Sequence, residues 1–224
     1  MFIKVKEIWQ SIFRKENISA QLNNKDFSDT LQDVFDLLKY LKVNDSFRIF
    51  ELRDEIRQWS KLNYSSWEQH LTQEEIKTIK LYTSCSFKYN EHLRHCRYPR
   101  YKNRIMHLDS AIEKASTPED IITFRWIDLE GFQELTNFLS IYNGAKFLEK
   151  GYSSTTLFFN GNIEYSGDVL FILKVPKYFN AACLKSISNI QTEDELLLKR
   201  DSTYTVEKII FYTDTHAILL CNVQ

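Results

Sequence analysis

The chain has 224 residues, 43% of them hydrophobic, a net charge of −1, and only 5 Gly and 3 Pro. That is enough apolar material for one sizeable core, or a core with a smaller appendage, and too little flexible punctuation for long linkers. The near-neutral balance offers nothing to draw the chain to nucleic acid or a membrane surface, and no apolar run approaches the ~20 residues of a spanning helix.

The opening MFIKVKEIWQSIF carries charges among its apolar positions and no small-residue cleavage site, so no cleaved secretory signal is expected. Phe27, Leu31, Val34, Leu38 and Leu41 recur at spacings of three and four, one face of a helix. Phe47, Phe50, Ile56 and Trp59 suggest a second helix. Thr72-Gln73-Glu74-Glu75 has the form of a capping box and opens a third, carrying Ile76, Ile79 and Tyr82. Ile105, Leu108 and Ile112 mark a fourth, closed before Pro118. The period then changes. IITFRWI (121–127) is a β-branched and aromatic run, and EGFQELTNFLSIYNG (130–144) reads as a helix stopped at Asn143-Gly144. VLFILKV (169–175), ELLLKR, TYTVEKIIFYT and HAILLCNV read as strands. Helices first and strands later argue an α+β fold. A soft boundary near residue 64 would divide an N-terminal helical segment, 1–64, from a main domain, 65–224.

The four cysteines form no CxxC pair; Cys183 and Cys221 stand in apolar runs and read as buried thiols. His92 and Cys96 lie four apart on a helix, half of a zinc ligand set with no second half, and read as helix surface. Three polar features interrupt the β-rich half. Arg125 lies inside a strand. Ser153-Ser154-Thr155-Thr156 follows a glycine and precedes an apolar run. Glu193 and Glu195 stand two apart before Leu196-Leu197-Leu198, a spacing that on a strand puts both on one face and Asp194 on the other. Singly, each is ordinary: a surface arginine, a turn, a solvated strand end.

Their order changes that. Phe124-Arg125, then Tyr152-Ser153-Ser154-Thr155-Thr156-Leu157, then Glu193-Asp194-Glu195 before leucines resembles the R-S-E class of mono-ADP-ribosyltransferases, the bacterial ADP-ribosylating exotoxins and the arginine-specific animal enzymes. LYTSCSFKYNEHLR (81–94) adds a fourth similarity, the class's helix with a Tyr-Thr start and an Asn-x-x-Leu-Arg end, here Asn90 to Arg94. The resemblance covers roughly residues 75 to 224. It implies the ADP-ribosyltransferase fold, a mixed β core around an NAD cleft flanked by N-terminal helices.

The chemistry implied by the resemblance explains the residue types. Transfer of ADP-ribose from NAD breaks the bond between nicotinamide and ribose through an oxocarbenium-like transition state, as in glycoside hydrolysis. Glu195 would hold the ribose 2′-hydroxyl and face the developing charge. Ser154 would orient Glu195. Arg125 would bind the diphosphate or ribose region through its planar fork. Asn90 and Arg94, on one helix face, and Thr155 would also contact NAD, and the backbone of Trp126 would hold the nicotinamide amide. Glu193 would serve an incoming arginine. A covering aromatic is expected after the Ser-Thr triplet, with Phe158, Phe159 and Tyr165 as candidates. The segment SISNIQ (186–191), where a target-recognition loop would lie, lacks an aromatic, leaving Ile187 or Ile190 in its place.

The expected function is therefore mono-ADP-ribosylation of a protein, arginine first, with NAD as substrate, nicotinamide released, NAD hydrolysis as a side reaction, and no metal. The partners are NAD and a protein acceptor in a host or target cell, with no nucleic acid and no membrane. The toxin resemblance implies a secreted or injected effector acting in a host cytosol. The alternatives are a non-arginine acceptor (threonine, glutamine or a small molecule) or a catalytically silent partner-binding domain.

Overall fold

The computed structural model describes residues 27–97, 99–136, 141–161, 168–190, 192–212 and 216–224. Helices come first: α1 (Phe27–Val43), α2 (Arg53–Gln69), α3 (Gln73–His95), a 3-10 turn at Pro99–Tyr101, and α4 (Lys102–Glu113). Then come β1 (Ile121–Ile127), α5 (Leu129–Thr136), β2 (Lys146–Glu149), β3 (Ser153–Thr156), β4 (Val169–Val175), β5 (Ala181–Cys183), β6 (Glu195–Leu198), β7 (Ser202–Tyr212) and β8 (Ala217–Val223). The eight strands form one mixed sheet in the order β2-β7-β8-β4-β1-β3-β6-β5, in which only β4 and β8 run parallel. The fold is α+β, as expected.

Period-2 alternation sorts the strands onto two cores. Val169, Phe171, Leu173 and Val175 of β4, with Ala217, Leu219, Cys221 and Val223 of β8, face the larger core under α2 to α4. Leu170, Ile172, Ile218 and Leu220 face a smaller core, closed by Val34, Leu38 and Leu41 of α1. Of the helical face read from the sequence, Val34, Leu38 and Leu41 are buried and Leu31 packs against them. Both Cys183 and Cys221 are buried free thiols. Leu196, Leu197 and Leu198 are all fully buried, because β6 lies inside the sheet between β3 and β5.

The capping box forms at α3. Glu75 N donates to Thr72 Oγ1 at 3.2 Å and Thr72 N to Glu75 Oε2 at 2.8 Å. Burial raises the pKa of Glu75, but Lys114, bonded to both its oxygens, together with Thr72 and Ser110 outweighs it and brings the carboxyl down to about 2. Helix α3 bends at Cys85, whose backbone is non-helical (φ −154°, ψ 43°).

One sequence expectation is corrected. Phe47 and Phe50 are not helical. Arg48 and Phe50 lie extended and bridge in parallel to Ile121 and Phe158, with Arg48 N donating to Asp120 O and Ile122 N to Arg48 O. Those long-range pairs override the local helical spacing, and α2 begins only at Arg53. Helix α2 runs unbroken through residue 64, and in the same core as the sheet Tyr64 packs tilted against Trp59 and edge to face with Trp67. Of the helix read over 130–144, α5 is described as far as Thr136, residues 137–140 lie outside the described residues, and Gly144 (φ 94°) turns the chain into β2.

Candidate active site

Strand β1 meets β3 at one register pair, Phe124↔Thr156, while it pairs with β4 along its full length. Beside that single junction a cleft of about 250 Å³ opens. Arg125 and Trp126 of β1 line it, with Ser154 and Thr156 of β3 and the acids Glu193 and Glu195. Residues 70 apart in sequence converge because β3 bridges β1 and β6.

Register places the serine and the acid. Thr156 pairs with Glu195 and Ser154 with Leu197, so Ser154 and Glu195 are diagonal neighbours on one face of the sheet. Glu195 is 5% exposed. Burial pushes its pKa up to about 7; the Ser154 hydroxyl bond opposes that rise and the nearby Glu193 carboxylate adds to it. Glu193 precedes the strand in a loop and is exposed, yet it reaches the same cleft; partial burial raises its pKa as well. Asp194 turns inward onto Lys185 Nζ, 2.6 Å from Oδ1, with Arg53 Nε 3.4 Å from Oδ2. Asp194 lines the same cleft as Glu193 and Glu195, and of the three only Glu195 belongs to a strand.

Arg125 projects to the other side of β1 from Phe124 and Trp126, which stack on Phe159 in the smaller core. Burial works against its charge, but Glu149, Tyr204 and Tyr82 outweigh burial and raise its pKa. Its Nη2 donates to Glu149 Oε2 at 3.1 Å. Its Nη1 is buried and has no hydrogen-bond partner among the described residues.

The helix pair behaves differently. Arg94 donates through Nε and Nη2 to both oxygens of Glu149, at 3.0 and 2.6 Å. Asn90 is buried and spent on the chain: its Nδ2 donates to Tyr152 O at 3.1 Å and its Oδ1 accepts from Tyr152 N at 2.9 Å. Gly151 lies so close that an added Cβ would sit 2.7 Å from Asn90 Oδ1. Asn90 thereby ties the β2–β3 connection to α3. Thr155 is likewise committed, with Oγ1 donating to Leu196 O at 2.7 Å.

Among the aromatic candidates, Phe158 lines the cleft and Phe159 is buried in the smaller core; Tyr165 lies outside the described residues. Of the two isoleucines, Ile187 is core and Ile190 is exposed. Sequence reasoning missed Arg53. It opens α2, donates through Nη1 to Thr192 O at 3.2 Å, and lies over the Phe158 ring at 5.3 Å. No local signal marks it, since its place depends on the bridges at Arg48 and Phe50. No group of three metal-ligating side chains occurs among the described residues, and none of the described helices is long and apolar enough to cross a membrane.

Comparison with known proteins agrees with this architecture. A model of the ADP-ribosyltransferase exoenzyme family matches residues 56–222. An NAD(+)--arginine ADP-ribosyltransferase, EFV, of Enterococcus faecalis is 34% identical over 155 residues, 63% of this chain but 30% of that protein's length. A mono-ADP-ribosyltransferase C3 of Hathewaya limosa is 26% identical over 199 residues, covering 79% of this chain and 78% of that one. Among solved structures, Plx2a, an ADP-ribosyltransferase toxin from Paenibacillus larvae, superposes with a TM-score of 0.65 at 30% identity, over 76% of this chain and 96% of that chain. The match runs from the first turns of α2 to the end of β8 and takes in every motif of the cleft: the chain belongs to the ADP-ribosyltransferase exoenzyme family.

Proposed function

We propose that the chain is a mono-ADP-ribosyltransferase that takes ADP-ribose from NAD to a protein side chain, arginine first, and releases nicotinamide. The observation that carries this reading is Glu195, a carboxyl buried at the floor of a cleft, bonded to Ser154, with Arg125 lining the same space. Its pKa of about 7 makes its charge costly in the empty protein, and that charge is rewarded once a cationic ribose develops beside it. As the ribose C1′–nicotinamide bond breaks, nicotinamide leaves with the bonding pair. A guanidino nitrogen of the acceptor then forms the new bond at C1′ and gives up a proton, for which Glu193 is the nearby carboxylate.

The exposed Glu193 supports an arginine acceptor, since a carboxylate can align an incoming guanidinium through paired hydrogen bonds. The relative named for arginine transfer points the same way. A silent partner-binding domain fits poorly with an intact set of Arg125, Ser154 and Glu195 in one cleft. Family likeness to toxins supports delivery into a host cell, where the acceptor would be met.

The test is incubation with labelled NAD and a host-cell lysate, followed by mass-spectrometric mapping of the modified residue and assay of nicotinamide. Label on arginine supports the proposal. Label on another residue replaces the acceptor. No nicotinamide release and no label overturn the reaction.

A further inference from the structure

The geometry points to Glu149 as a positioning residue that sets Arg125 of the cleft, together with Arg94 of α3, for the substrate. The inference rests on the proposed use of NAD. Glu149 ends β2, opposite Ser202 of β7, and is 1% exposed. Its two oxygens accept four hydrogen bonds: Arg94 Nε at 3.0 Å and Gly151 N at 2.8 Å on Oε1, Arg94 Nη2 at 2.6 Å and Arg125 Nη2 at 3.1 Å on Oε2. A single carboxylate thus ties together α3, β1 and the turn that feeds Ser153 and Ser154 into β3.

A buried carboxylate with this many partners is explained by what it holds. Two guanidinium groups that share one anchor would repel each other without it. Glu149 cancels one of the two charges, so the pair keeps a net single positive charge for an anionic ligand. It also fixes the roll of the Arg125 fork. With Nη2 held by Glu149, and Tyr204 supporting the same side chain while also bonding Ser153, Nη1 is the nitrogen left over. Glu149 touches no reacting atom in this scheme; it acts through the arginines, in the way outer partners orient ligands elsewhere.

The experiment compares wild type with Glu149→Gln and Glu149→Asp in NAD glycohydrolysis, alongside calorimetric NAD titration and thermal melting. Gln keeps the shape but loses the charge and offers one acceptor oxygen. Asp keeps the charge and withdraws the carboxylate by one methylene. The expected result is a KM for NAD raised roughly 10-fold or more in Glu149→Gln with kcat within about 3-fold of wild type, an intermediate KM in Glu149→Asp, and matching changes in Kd. A folded Glu149→Gln with KM within about 2-fold of wild type overturns the inference, including the case in which only Tm falls, which is what a merely structural carboxylate gives. If Glu149→Gln does not fold, Glu149→Asp decides by the same criterion. A wild-type protein that binds NAD without turning it over overturns the proposed reaction instead, and the Kd values then judge Glu149 separately.

Discussion

Ser154 and Glu195 are diagonal neighbours across the β3–β6 pair, and the serine hydroxyl bonds a carboxylate that burial would otherwise drive higher still in pKa. The cleft is therefore built around an anion that the fold makes expensive and one hydroxyl that partly offsets the cost.

Replacing that anion separates stability from activity. A carboxyl raised by folding from 4.5 to about 7, first by burial, holds its proton more tightly in the folded chain. Its contribution to stability is intact below the unfolded value, declines as pH rises between those two values, and stays reduced above them. Glu195→Gln is expected to cut nicotinamide release about 100- to 1000-fold. It should also melt roughly 5 °C higher than wild type at pH 8, a gap that closes toward pH 4.5. Near-normal NAD hydrolysis by the folded variant rules out the catalytic assignment.

The pH profile should report the same group. Reaction needs the ionised form of Glu195, so kcat/KM for NAD hydrolysis is expected to rise with pH through an apparent midpoint of about 7, the value for the free enzyme. Ser154→Ala removes the bond that lowers this pKa and should move the midpoint upward while reducing the plateau. A midpoint unmoved in Ser154→Ala means the hydroxyl does not bond the carboxylate in solution.

Arg125→Lys conserves charge and loses the fork. A lysine cannot hold Glu149 and a ligand acceptor at once in one plane, so NAD affinity is expected to drop roughly 10-fold. Calorimetric titration is the measurement, and equal affinities would return Arg125 to a purely structural role.

Glu193 should divide the two half-reactions. Breaking the nicotinamide bond can proceed with water as acceptor, whereas guanidinium attack needs a carboxylate to align it and take a proton. Glu193→Gln is expected to lose arginine modification about 100-fold while keeping most NAD hydrolysis. Loss of both would mean that Glu193 shares the work of Glu195, and unchanged transfer would exclude arginine as the acceptor.

Much of this was legible locally. The strands over 121–127 and 169–175 appear at those limits because β-branched and aromatic runs bounded by polar residues suit a pleated, buried surface whatever their partners. The capping box and the α1 face follow from contacts three and four residues apart, and the order of Arg125, Ser154 and Glu195 was enough to indicate the family. What the local pattern could not carry were the features made by distant pairing. The short strands β2 and β5 exist only against β7 and β6. The extended path of residues 47–50, which delivers Arg53 to the cleft, depends on Ile121 and Phe158. The hydrogen-bond partners of Asn90 and Glu149 were likewise decided in three dimensions. A buried amide or carboxylate must satisfy its hydrogen bonds with whatever the fold brings beside it, and for these two that was Tyr152 and a pair of arginines from separate elements.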